Sequence, residues 1–77
     1  MALTDALLSM WVIYDHPSDL PEHIVARRHE VHATGPMPTD DLILGNSVRS
    51  VRAQLPQGLD CLPRAPGDDP HIIEVWL

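Results

Sequence analysis

The chain has 77 residues, a formal net charge of −6 and 44% apolar residues. This length provides a single domain with a modest core, and the apolar content is typical of a globular chain rather than a disordered one. The negative charge repels phosphate backbones and anionic membrane surfaces, so neither nucleic acid nor a membrane is expected as a partner.

The cysteine count and the apolar runs bear on the cellular setting. The one cysteine, Cys61, cannot form an internal disulfide or a cysteine-rich zinc site. No run approaches the roughly 20 apolar residues of a spanning helix, and the first ten residues lack the basic start of a signal peptide. We therefore expect a cytoplasmic protein.

The chain is expected to begin with a weakly ordered extension over residues 1–10, followed by a single domain over residues 11–77. A short helix capped by Thr4 is the alternative for the extension. WVIYDH then has the β-branched and aromatic composition of a strand. Both of its faces are apolar, which predicts burial on both sides.

The segment HIVARRHEVH has the alternation of a second strand. One face carries Val25, Arg27, His29 and Val31, and the other carries Ile24, Ala26, Arg28, Glu30 and His32. Each face begins apolar and becomes polar, which predicts a strand that enters the core at its start and reaches solvent at its end. Its many charged and histidine residues then follow from exposure rather than from a site.

The remaining chain predicts a break over ATGPMPTDD, a third strand over LILG, one helix over SVRSVRAQL, and strands over LDCLPR and HIIEVWL. Asn46 or Ser47 is expected to cap the helix, and Pro56 with Gly58 to stop it. In the last strand, one face is expected to carry Ile73, Val75 and Leu77, and the other Ile72, Glu74 and Trp76.

The element order β-β-β-α-β-β predicts an α+β fold, with a small, mostly antiparallel sheet of four to five strands and one covering helix. A single helix covers one face of a sheet. The other face must therefore be partly polar or must find a partner.

Five short blocks follow one another in the chain: YDHP (14–17), VAR (25–27), PTDD (38–41), LPQGL (55–59) and DDPHIIEVWL (68–77). Together they resemble a group of small uncharacterised bacterial proteins, over residues 11–77. The usual pattern has an aromatic residue after PEH, where this chain has Ile24. The resemblance implies a self-standing bacterial α+β domain and carries no activity.

The histidines and acidic pairs do not have the spacing of a metal site. His29 and His32 lie on opposite faces of a strand, and His23 is about 20 Å from His29 along an extended strand. No HExxH or CxxC pattern is present. Asp40–Asp41 and Asp68–Asp69 are typical of turns. We therefore expect no metal and no other cofactor.

No catalytic residue is predicted. Cys61 is expected to be a buried thiol that packs as a small hydrophobic residue. Asp15 and His16 are not expected to form a catalytic pair, because neighbouring side chains on a strand point apart. One arginine is expected to pair with a carboxylate such as Asp15 or Asp41.

Two classes of function remain. The first is a non-enzymatic interaction domain that forms a homodimer or binds a protein through an apolar sheet face or a strand edge, with Trp76 as a candidate anchor. The alternative is a small ligand- or anion-binding domain or a minor enzyme, with a site near the loops at 15–21 and 38–41. Asp15, His16, Arg27 and Asp41 would line that site.

Overall fold

The computed structural model describes residues 8–67 and 69–77. Their elements are β1 (Leu8–Asp15), β2 (Ile24–His32), β3 (Gly35–Gly45), α1 (Val48–Gln54), β4 (Cys61–Pro63) and β5 (Ile72–Trp76). The five strands form one antiparallel sheet with one helix, which confirms the predicted α+β class and element order. Within the described ranges, no helix is long and apolar enough to cross a membrane.

The strand order in the sheet is β3-β2-β1-β5-β4. The first three strands form a meander, after which α1 carries the chain across to β4 at the far edge. β5 then lies between β4 and β1, so the two ends of the domain are neighbours and Trp11 is opposite Trp76. β1 begins at Leu8, three residues before the expected start of the domain, and the first seven residues of the extension expected over 1–10 lie outside the described residues.

β3 corrects the predicted break over ATGPMPTDD, because this strand begins at Gly35 and takes in Pro36 and Pro38. In the described sheet β3 is an edge strand. A proline there lacks a backbone N–H only on the side that has no neighbouring strand, so no hydrogen bond between strands is lost. The pairing of β2 with β3 shifts between Arg27 and His29, and there the Thr39 hydroxyl donates to the Arg28 carbonyl at 2.7 Å.

The helix begins as the sequence predicts. The Ser47 side chain accepts a hydrogen bond from the Ser50 backbone N–H at 3.1 Å, which caps the first turn. Val51 is fully buried against the sheet. Gly45 permits this close approach, since a Cβ at that position would lie 2.9 Å from Val51 Cγ2.

The core lies between α1 and the sheet. Its buried cluster consists of Ile13, Ile24, Ala26 and Val51. Six partly buried side chains pack around this cluster: Trp11, Ile43, Val48, Leu55, Ile73 and Trp76. Removing these apolar groups from water is the main stabilising contribution in so small a domain.

A register shift in β1–β5 corrects the predicted faces of the last strand. Ile13 is opposite Glu74, whereas the adjacent Tyr14 is opposite Ile72. Ile73 is therefore the extra residue of a bulge, and it packs against the helix-side core together with Trp76. Strict alternation had placed Ile73 on the other face.

Candidate functional site

The two faces of the sheet differ in what covers them. We call the face that α1 covers the helix side and the opposite face the open face. Two rows of paired residues cross the open face. One row is formed by Leu44, Val25, Tyr14 and Ile72, and the next, which crosses all five strands, by Leu42, Arg27, Val12, Val75 and Leu62.

The open face is apolar and partly exposed. Six large apolar side chains are markedly exposed in the described part of the chain. Four of these belong to the open face and are 39–47% exposed: Leu8, Leu42, Leu44 and Leu62. Val12 and Val25, which lie between them on the same face, are buried. Exposed apolar groups that share one face of a sheet are typical of an interaction surface.

A cavity of about 310 Å³ lies over β2 on the open face. Its floor is formed by Tyr14, Val25, Arg27 and His29. Its rim includes residues 17–19 of the β1–β2 loop, Pro38 of β3, and Asp69 with His71 before β5. The volume is at the lower end of the range of small-molecule sites.

The two terminal nitrogens of the Arg27 guanidinium have contacts of different length. Its Nη1 donates to the Thr39 carbonyl oxygen at 2.7 Å, and its Nη2 lies 3.5 Å from Asp19 Oδ2. The Asp19 contact is longer than an ordinary charge-assisted hydrogen bond. The Arg27 side chain is 24% exposed, whereas that of Asp19 is 65% exposed.

Arg28, on the helix side, has close partners. Its Nε donates to Asp41 Oδ2 at 2.6 Å, and its Nη1 lies 3.3 Å from Glu30 Oε2. The hydrogen bond that Arg28 donates to Asp41 raises the pKa of Arg28. The expectation that an arginine pairs with Asp41 is confirmed.

The side chains around the cavity are partly removed from water. Desolvation raises the pKa of Tyr14 and lowers the pKa of His29, since burial disfavours the charged form of each group. Asp69 Oδ1 accepts from the His71 backbone N–H at 2.8 Å and lies 3.1 Å from His71 Nδ1. These contacts lower the pKa of Asp69, so its carboxylate stays charged.

A second polar cluster surrounds Glu74 on the helix side. Glu74 is 6% exposed and accepts from Arg52 Nε at 2.5 Å and Nη2 at 2.6 Å. Trp76 Nε1 donates to the same carboxylate at 2.9 Å, and the Arg52 guanidinium lies 6.0 Å from the Trp76 ring centroid. The Arg52 hydrogen bonds lower the pKa of Glu74 to about 2. Both oxygens of the Glu74 carboxylate are therefore occupied by partners within the chain.

Cys61 was expected to be buried, and that expectation was wrong, because the residue is exposed on β4. Its Sγ lies 3.5 Å from Glu74 Oε2. Partial desolvation and the neighbouring carboxylate raise the pKa of the thiol. A raised pKa disfavours the thiolate that a nucleophile requires.

The four residues expected to line one site do not come together, and the candidate anchor Trp76 lies elsewhere. Arg27 lines the cavity, whereas Asp41 lies on the helix side beside an arginine and Trp76 bonds to the Glu74 carboxylate. Asp15 and His16 are more than half exposed and contact each other, with 2.5 Å between His16 Nδ1 and Asp15 Oδ1. The expectation that these two side chains point apart was wrong, because His16 leaves the strand with φ +48°.

Sequence reasoning missed Tyr14, His29, Asp69 and His71 as neighbours of Arg27. The alternation of β2 does place His29 on the same face as Arg27, so that signal was present. Asp69 and His71 reach the cavity only because the end of β1 lies beside the start of β5, where the Asp15 N–H donates to the His71 carbonyl at 2.7 Å. No local pattern reveals that pairing.

Residues 8–67 and 69–77 bring no three His, Cys, Asp or Glu side chains into a group that could hold a metal ion. No family model, no curated protein and no solved structure matches the chain. The open face and its cavity are therefore the features from which function can be argued.

Proposed function

We propose that this chain is a non-enzymatic, self-associating domain whose open face packs against the open face of a second copy. The row that crosses all five strands carries this proposal, because four of its five residues are apolar and the leucines at its two ends are 39% and 47% exposed. Two such sheets packed face to face, about 10 Å apart, form a sandwich. Both helices lie on the outside of that assembly.

The charge distribution favours a second copy as the partner. At its paired strand positions the open face carries one formal charge, Arg27, although the chain has a net charge of −6. The helix side instead carries Arg28, Glu30 and Glu74 at such positions. The cavity rim adds Asp19 and Asp69 to this face, so a twofold contact sets one arginine and two carboxylates of each copy against one another, a mixture of signs with little net repulsion.

The dimensions of the molecule agree with a stable dimer. The molecule measures 39 × 27 × 22 Å, so a broad face can supply the roughly 800 Å² per partner of an ordinary interface. Trp76 is not part of this interface, because its indole lies on the helix side within the Glu74 cluster.

Sedimentation velocity tests the proposal with a matched pair of variants. Wild type at high micromolar concentration should sediment with about twice the 8.6 kDa of one chain. Leu62→Asp places a charge in the apolar row and should give a monomer.

Met37→Asp is the control, because Met37 is 54% exposed but pairs with Glu30 on the helix side. This variant should remain a dimer. A monomeric wild type, or equal dissociation of both variants, would show that the open face is not the interface.

We further propose a cytoplasmic setting with no nucleic-acid or membrane partner. The exposed free Cys61 supports a reducing compartment, where a surface thiol does not oxidise to a disulfide. The net charge of −6 supports the absence of polyanionic partners.

A further inference from the structure

Arg27 differs from the other two arginines packed on the sheet in how its charge is compensated. Arg52 has both oxygens of Glu74 at 2.5 and 2.6 Å, and Arg28 has Asp41 at 2.6 Å. The carboxylate contact of Arg27 is 3.5 Å long and reaches a loop side chain that is 65% exposed. A guanidinium in this state can bind the carboxylate of a ligand through its remaining N–H groups.

The Arg27 guanidinium is already oriented before any ligand arrives. The Thr39 carbonyl of β3 holds Nη1 at 2.7 Å, and the stem of the side chain rises from the middle of β2. An arginine fixed in this way loses little conformational freedom on binding, which favours affinity. The cavity around it supplies apolar walls from Val25, Pro38 and the Tyr14 ring.

The rim of the same cavity is acidic. Asp19 and Asp69 both line it, and Asp69 keeps its charge because His71 donates to it from the backbone. His29 is held toward its neutral form by burial, so the cavity combines one cation with two carboxylates. The two carboxylates repel a ligand that carries only negative charge, and Arg27 repels a ligand that carries only positive charge.

We propose that this cavity binds a small zwitterion with the chemistry of a free α-amino acid. Its carboxylate lies on the Arg27 guanidinium, its ammonium faces Asp19 and Asp69, and its apolar side chain lies against Val25 and Pro38. The volume of about 310 Å³ accommodates such a molecule. The site is built from one copy of the chain and goes beyond the proposed self-association. Because both use the open face, ligand binding and self-association compete.

A titration followed by ¹H–¹⁵N NMR tests whether the cavity requires both charges of the ligand, with three probes of similar shape. L-leucine carries both charges, L-leucinamide only the ammonium, and N-acetyl-L-leucine only the carboxylate. Leucine should give saturable shifts at Ser18, Arg27 and His71, and each of the other probes should bind at least about tenfold more weakly. Absence of saturable shifts with leucine in both wild type and the Leu62→Asp variant, or equal or tighter binding of either analogue, would overturn the proposal.

Variants on the two faces locate the site. Arg27→Gln should abolish the leucine shifts, whereas Arg28→Gln on the helix side should bind leucine as wild type does. Should the glutamine variant not fold, Arg27→Lys should weaken leucine binding about fivefold or more, because lysine lacks the planar fork. Unchanged affinity in Arg27→Gln, or in Arg27→Lys where the glutamine variant is unfolded, contradicts the proposed contact.

The same titration on Leu62→Asp separates this site from the dimer. Leu62 does not line the cavity, and the open-face dimer covers it, so the monomeric variant should bind leucine at least as tightly as wild type. A monomeric wild type that binds leucine rejects the self-association alone. A dimeric wild type whose monomeric Leu62→Asp variant gives no leucine shifts rejects the zwitterion site alone.

Discussion

The two faces of the sheet differ in how far their apolar side chains are buried and in how closely their arginines are paired. On the helix side, Ile13 is fully buried and the Glu74 carboxylate accepts two close hydrogen bonds from Arg52. On the open face, leucines are exposed, and the carboxylate contact of Arg27 within the described residues is a long one. A face whose groups satisfy one another is structural, whereas a face that leaves them available is suited to binding.

The largest expected effect comes from truncating the helix-side core. Ile13→Ala removes a fully buried side chain and should lower the free energy of unfolding by about 2–5 kcal/mol. Leu62→Ala, on the open face, should change the free energy of unfolding of the monomer by no more than about 0.5 kcal/mol. Urea denaturation at low micromolar concentration measures both, and equal losses would abolish the distinction between the faces.

The next effect is the pH dependence of the Glu74 ion pair. The pKa of Glu74 is lowered from 4.5 to about 2, so its stabilising contribution is complete above about pH 4.5 and disappears as pH falls toward 2. Glu74→Gln should cost about 2 kcal/mol at pH 7, a figure reduced from the full shift because Arg52 is half exposed.

Urea denaturation of wild type and Glu74→Gln at pH 7, 5 and 3 tests whether the stabilising contribution of Glu74 is lost at low pH. The gap in unfolding free energy between the two proteins should stay constant from pH 7 to 5 and narrow clearly by pH 3. A gap that is independent of pH over this whole range would mean that Glu74 titrates normally in the folded state.

The smallest effect on stability is expected at Asp41, the exposed partner of Arg28. Asp41 is 58% exposed, and ion pairs of this kind contribute little to stability. Asp41→Asn should lower Tm by about 4 °C or less. A much larger drop in a thermal melt would show that the β2–β3 bulge depends on this contact.

Sequence patterns carried information about single elements and less about how those elements meet. The Ser47 cap and the opposite faces of Arg27 and Arg28 follow from local spacing, and the structure agrees with both. The strand over LILG was predicted, but the first part of β3 was missed because Pro36 and Pro38 indicate a loop unless the strand is known to lie at an edge. That position becomes visible only once the sheet is assembled.

The cavity depends on contacts between distant parts of the chain. The bulge at Ile73 reverses the alternation of the last strand, and the neighbouring β1–β5 pairing brings His71 to the side of β1. The positive φ of His16 turns its ring back onto Asp15, which strand geometry does not allow. Such local departures from regular structure have no periodic signal in the sequence.

Isotope-filtered NOE spectroscopy on a mixture of labelled and unlabelled chains locates contacts between copies, and so shows whether the open faces meet. We expect intermolecular NOEs among the methyl groups of Leu42, Leu44, Leu62 and Val75, and none at Val48 or Met37. Intermolecular contacts confined to the helix side, or no intermolecular NOE at high micromolar concentration, would contradict self-association through the open face.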